Sequence, residues 1–184
     1  MVTEPLAYFH RHFGFDTGRI HRIEAGRRYV GLMLTNGQIG VCSTLNNPLR
    51  SGDVHFAKPD LSRREHRIVY NAYLNALLNY EIKYESDNDI FEHIDFARRG
   101  EIVMIGYFRP LVKKFRAAGI HLTIFDQLEK DGLLTPLEQM SFFLSTARSV
   151  ILSSTTLSNN TFLSILEQTP TRCEIFLLGP SSLL

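Results

Sequence analysis

A chain of 184 residues is long enough for one large domain or two small ones, and 44% hydrophobic residues suffice for a core. The formal net charge of +1 is spread evenly, with 12 basic and 12 acidic residues through Arg98 and 8 and 7 after it, which excludes a basic nucleic-acid module driven by phosphate neutralisation. Cys42 and Cys173 lie far apart in apolar runs, without metal-ligand spacing, so they predict neither a disulfide framework nor a zinc site.

No basic start followed by an apolar stretch marks a signal peptide. No apolar run reaches the roughly 18 residues of a membrane span. The cytoplasm is therefore the expected location, with no membrane partner.

In chain order, residues 4–13 read as an amphipathic helix with Leu6, Phe9 and Phe13 on one side. Three strands follow, at 20–24, 28–35 and 38–44, and Asn36-Gly37 predicts a type I′ hairpin turn between the last two. After a turn-rich loop from Asn46 to Asp60, Ser62 and Glu65 have capping-box spacing for a long helix ending near Tyr80. Asn71, Asn75 and Asn79 share one face of that helix, where they would either hold the hairpin or point into an interdomain cleft. A second helix is expected over 89–98, after the cap-forming run Ser86-Asp87-Asn88.

From Glu101 short apolar runs alternate with helical segments. Parallel strands are expected at 101–106, 120–125, 149–153 and 174–178. Helices are expected from Pro110 to Ala118 with Gly119 as cap, from a Thr135–Glu138 capping box to about 146, and over 159–168. The reading is a mixed α/β chain, with an α+β domain over 1–98 and a Rossmann-like parallel-sheet domain over 99–184.

Ligands of such sheets gather at the carboxyl ends of the strands. Three loops there have unusual composition. In Gly106-Tyr107-Phe108-Arg109-Pro110, the glycine and the helix start suit an anion, while the two bulky aromatics and the single glycine depart from G-x-G-x-x-G. Asp126, 20 residues after Gly106, stands where a ribose-binding acid would. Ser154, Thr155, Thr156, Asn159 and Thr161 supply hydroxyls and amides suited to an oxygen-rich ligand, and Gly179, Pro180 and Ser181 form the third loop. Within the second loop Ser158 is the expected helix cap, and Asn159 the residue directed at the ligand. His55 is the histidine most worth attention among seven scattered ones.

The segments Ile105–Val112, Ile124-Phe125-Asp126, Ser153–Thr161 and Leu178–Ser182 resemble, in matching order, the DUF364 family, described as heavy-metal chelation proteins. Asn71–Leu77 resembles the helix motif of DUF4213, the domain that usually precedes it. The resemblance implies an enolase N-terminal-like first domain, a Rossmann-like second domain and a site between them. Two departures stand out in the loop usually read T-G-T-T-L-V-N-G-T: Ser153-Ser154 replaces Thr-Gly, and Asn160 replaces a glycine. The chain also stops at Leu184, where relatives continue, and together these differences predict a trimmed or altered site.

The leading expectation is binding of a small anionic or metal-chelating ligand in the interdomain cleft, by the loop residues above together with Asn75. No cofactor is identified and no resident metal is expected. A nucleotide- or dinucleotide-dependent enzyme using Gly106 and Asp126 is one alternative. A non-catalytic module that assembles into homo-oligomers is another. The residues do not specify a reaction.

Overall fold

The computed structural model describes residues 3–81, 89–128 and 131–182. The chain divides into two compact units. One comprises Met1–Lys83, Ser154–Leu163 and Gly179–Leu184, and the other Tyr84–Ser153 and Ser164–Leu178.

The first unit opens with helix α1 (Pro5–Phe13), where the Ala7 amide donates to the Glu4 carboxylate at 2.8 Å and caps the free N-terminus. Strands β1 (Ile20–Ala25), β2 (Tyr29–Leu34) and β3 (Ile39–Ser43) form an antiparallel sheet in that order. Alternation in β2 turns Val30, Leu32 and Leu34 into the core.

The turn between β2 and β3 is not type I′, which needs positive φ at both central residues. Only Gly37 has it, at 86°, and the bonds Gly37 N to Leu34 O (2.9 Å) and Leu34 N to Gln38 O (2.8 Å) close a three-residue connection instead. Asn36 thus sits in the turn without a positive φ.

Helix α2 (Arg64–Leu78) is buried without interruption from His66 to Leu77. Its expected Ser62 capping box does not form. Ser62 is drawn back by Asp60, whose Oδ1 accepts from both its amide (3.0 Å) and its hydroxyl (2.6 Å), and the helix starts from an uncapped Arg63. His66 takes over part of that work, its Nδ1 accepting from the Asp60 amide at 2.8 Å while its ring stacks on Phe56. Burial holds the His66 imidazole below its ordinary pKa, which keeps Nδ1 an acceptor.

Strand β3 lies directly on the α2 backbone. A Cβ on Gly40 would meet Ala72 O at 2.1 Å and Ala76 N at 2.2 Å, so no side chain fits there without parting strand from helix.

In the second unit, helix α3 (Ile90–His93) is capped by Asp89, and a 3-10 turn covers Phe96–Arg98. The helix expected over 89–98 is therefore two short turns, because Ile94 at the α3 cap is extended. The cap-forming run Ser86-Asp87-Asn88 lies outside the described residues. Strands β4 (Ile102–Ile105), β5 (Thr123–Phe125), β6 (Ser149–Ser153) and β7 (Glu174–Leu178) form one parallel sheet in the order β5-β4-β6-β7, as the alternation predicts.

Helix α4 (Arg109–Ala117) follows β4 and ends in a Schellman motif: Gly119 at φ 65° donates to Arg116 O, and Ile120 to Phe115 O. The capping box at Thr135 is absent. The Thr135 amide instead donates to Ile124 O at 2.8 Å beside β5, and a 3-10 turn, Leu137–Gln139, leads into α5 (Met140–Thr146). The last expected helix, 159–168, is shortened to α7 (Phe162–Leu166), and a further helical turn, α6 (Thr155–Ser158), precedes it, the two separated at Asn160 with its φ of 63°. The fold is thus an N-terminal α+β part followed by a Rossmann-like parallel sheet. Among the described residues no helix is long and apolar enough to cross a membrane.

Gly40→Ala is expected to lose at least about 3 kcal/mol of stability, the upper range for forced overpacking. Gly31→Ala on β2, where an added Cβ has nothing within 4 Å, should change stability by about 0.5 kcal/mol or less. Denaturant melts of the two variants check the contrast; equal losses would contradict it.

Candidate functional site

Of the residues expected at the site, Asn75, Ser154, Thr155, Thr156, Asn159, Thr161, Gly179, Pro180 and Ser181 belong to the first unit. Gly106, Tyr107, Phe108 and Asp126 belong to the second.

In the first unit these residues meet on α2. Asn75 Nδ2 donates to Val41 O (2.8 Å) in β3 and to Pro180 O (3.3 Å). Asn71 Nδ2 donates to Ser181 O (3.0 Å), and Asn79 Nδ2 reaches Ser182 O at 3.5 Å. The Ser43 amide donates to Ser181 Oγ at 2.9 Å, so the segment 180–182 runs beside β3, an edge strand of its sheet. The asparagine stripe therefore holds the hairpin strand and this late segment at once. The positive φ of Gly179, 115°, lets the chain turn into that position.

The segment Ser154–Leu163 is fastened by Arg67, which is 4% exposed. Its guanidinium donates to Leu157 O and to Ser158 O (3.2 Å), the open carbonyls at the end of α6, and pairs with Glu4 at 2.6 Å. Arg67 stands four residues before Asn71, so the stripe of three asparagines continues one step further back. That spacing was a usable signal for Arg67 in the sequence.

Within the segment Asn159 Oδ1 accepts from the Thr161 amide (3.1 Å) and hydroxyl (2.6 Å), an Asx turn ahead of α7, whereas Ser158 Oγ donates back to Thr155 O instead of capping α7. Asn160 adopts the left-handed backbone at φ 63°, a conformation asparagine tolerates better than other residues with a side chain. Several acceptors in this unit, namely Oδ1 of Asn71, Asn75 and Asn79 and Oγ of Ser154 and Ser182, are buried with no hydrogen-bond partner among the described residues.

In the second unit Gly106 has φ 101°, and a Cβ there would stand 2.8 Å from that of Ser153 on the neighbouring strand. The glycine is thus accounted for by backbone and packing. Asp126 Oδ2 accepts from the Tyr107 amide (2.8 Å) and Oδ1 from the Leu128 amide (2.7 Å), so the carboxylate ties the loops after β4 and β5 together. Neither geometry adds support for a dinucleotide.

The Tyr107 hydroxyl donates to Asp131 Oδ2 at 2.8 Å, and that bond, with the Leu133 amide, holds the Asp131 carboxyl below the usual carboxylate range. Arg109 lies 5.7 Å from the centre of the Tyr107 ring. Arg109, Lys113 and Arg116 recur at positions i, i+4 and i+7 of α4. With Tyr107 and Asp131–Leu133 they line a groove of about 410 Å³. Lys113 and Arg116 lie beyond the Gly106–Pro110 loop, and their signal in the sequence is the helical spacing from Arg109. Phe108 packs against the apolar core of the sheet. His55 lines a different depression of about 520 Å³ in the first unit, beside Phe15, His21 and Phe56.

A directly bound heavy metal does not fit these donors. Among the described residues no three of His, Cys, Asp and Glu come together. Both thiols are pushed above their ordinary pKa by burial, which opposes the thiolate a soft metal requires. Cys42 is surrounded by Asn71, Ser181 and Ser158, a packing role.

Asn71→Ala should cost about 1–3 kcal/mol by leaving the buried Ser181 carbonyl unpaired. Asn159→Ala should cost about 1 kcal/mol as loss of the Asx-turn hydrogen bonds. Ser158→Ala, the control, should cost less than either. Thermal melts that rank Ser158→Ala as the most damaging would refute this assignment.

The sequence pattern of the DUF364 family, described as "Putative heavy-metal chelation", matches residues 89–184. No curated protein matches the chain. A crystal structure of a DUF364 protein of unknown function from Pyrococcus horikoshii shares 20% identity at a TM-score of 0.72, covering 88% of this chain and 72% of that one. Another, from Desulfitobacterium hafniense, shares 16% identity at a TM-score of 0.73, covering 98% of this chain and 78% of that one. At these identities the likeness concerns the fold, and the match over residues 89–184 establishes that the chain belongs to the DUF364 family.

Proposed function

We propose that the chain binds a small anionic ligand in the groove along α4. The observation that carries this reading is the convergence of Arg109, Lys113 and Arg116 on one helix face, opposite a loop held by the Tyr107–Asp131 bond, around about 410 Å³ of open space. The groove begins at the carboxyl end of β4, the edge of a parallel sheet where ligands gather. Guanidinium and ammonium groups there match carboxylates or phosphates. The family description and the donor set are reconciled if the ligand is itself the chelator and carries any metal with it. The protein then needs cations for the chelator's carboxylates and no metal ligands of its own.

A second reading keeps the loops Ser154–Thr161 and Gly179–Ser181, with Asn75, as a site for a polar ligand. The partnerless oxygens of Asn71, Asn75 and Ser154 favour it, since buried acceptors want donors. High-resolution density beside these atoms that fits single waters would contradict it. Density larger than water, and lost in Asn75→Ala, would support it. We also read the N-terminal part as enolase N-terminal-like, supported by its three-stranded antiparallel sheet with α2 laid on β3.

Citrate, a small chelating tricarboxylate, tests the first reading. Calorimetry should show one citrate site in the full chain. Lys113→Gln and Arg116→Gln should each weaken it about tenfold, the equivalent of about 1.4 kcal/mol and close to one charge-assisted bond. Absence of citrate binding, or tight one-to-one binding of a transition metal added without citrate, would contradict the proposal.

A further inference from the structure

At the opposite, amino-terminal edge of the parallel sheet, each of three strands is preceded by arginine. Arg98 and Arg99 come before β4, Arg148 directly before β6, and Arg172 two residues before β7. With Asp95, Gly100 and Glu174 these side chains line an open depression of about 620 Å³.

The backbone beneath them is fixed. Glu101 O accepts from the amides of Arg148 (2.9 Å) and Ser149 (3.2 Å), and the Glu174 amide donates to Arg148 O at 3.0 Å. Arg172 is carried on a tight turn closed by Cys173 N to Pro170 O at 2.8 Å. Gly100 leaves room for the Arg148 stem, since a Cβ there would stand 3.2 Å from Arg148 Cγ.

Two of the four guanidiniums are already committed. Arg98 pairs with Asp95 at 3.1 Å, and Arg99 pairs with Glu174 while lying over the Phe176 ring at 5.9 Å. Arg148 and Arg172 have no ion-pair partner among the described residues. Among the residues that line the depression, the four cations outnumber the two carboxylates.

We propose that this cluster is a site for a compact polyphosphate, a ligand with at least two linked phosphate groups. Arg148 and Arg172 stand just ahead of the neighbouring strands β6 and β7, and their side chains line the same depression. Linked phosphates offer matching pairs of oxygens, which suits the bidentate geometry of arginine better than one isolated anion does. Asp95 and Glu174 orient Arg98 and Arg99 at the rim and set the limit on the attraction.

Inorganic pyrophosphate is the probe, titrated calorimetrically into the full chain at low salt. One site is expected, weakened by added salt. The pair Arg148→Gln and Arg172→Gln should raise Kd at least about tenfold, with each single variant intermediate. These are exposed side chains, so the melting temperature should not move. Arg27→Gln with Arg28→Gln removes the same charge from the first unit and should leave pyrophosphate binding unchanged. Failure of the wild-type chain to bind pyrophosphate would overturn the proposal. So would an equal loss in both double variants, or no loss in the Arg148/Arg172 pair. None of these results depends on citrate binding at α4.

Discussion

A helix enclosed on every side cannot turn its polar groups toward water, and α2 carries Arg67, Asn71 and Asn75 at four-residue intervals within its buried stretch, with Asn79 continuing the line at its cap. Each of these groups carries a desolvation cost of several kcal/mol unless the protein supplies a partner. One side of the helix is closed by β3, which approaches so nearly that position 40 must be glycine. The other partners come from far along the chain. Carbonyls of Leu157 and Ser158 meet Arg67, and those of Pro180, Ser181 and Ser182 meet the asparagines. Satisfying one stripe of side chains therefore recruits two late segments into the first compact unit.

This requirement gives those segments a structural explanation that their composition alone hides. Hydroxyl- and amide-rich loops after strands resemble binding loops because both need groups that form directed hydrogen bonds. Here Asn159 closes an Asx turn, Asn160 takes the left-handed turn that glycine usually provides, and Ser181 receives the Ser43 amide. The partnerless oxygens of Asn71, Asn75 and Ser154 are what the scaffold leaves open. The cationic chemistry lies in the second unit, on α4 and at the amino ends of β4, β6 and β7.

The strands were legible because burial leaves a local mark. Ile102–Ile105 and Val150–Leu152 are continuous apolar runs, as parallel strands covered on both faces must be. The ends of helices were less legible. Ser62 and Thr135 have the spacing of capping boxes, yet Asp60 captures the first and the edge of β5 engages the amide of the second. A cap competes with tertiary partners that no local window contains. The same holds for the asparagine stripe, whose period was plain but whose partners lie about a hundred residues away. The basic face of α4 was readable in principle, since Arg109, Lys113 and Arg116 keep helical spacing.

If the α2 stripe holds the late segments in place, removing one of its members should loosen them selectively. Native-state hydrogen exchange of Asn75→Ala reads this most directly, because Asn75 bonds both Val41 O and Pro180 O. The Ser43 and Ser182 amides should lose protection together, while Met104 and Ile151 in the parallel sheet keep theirs. Unchanged exchange at Ser43 and Ser182, or an equal loss across both sheets, would contradict the account.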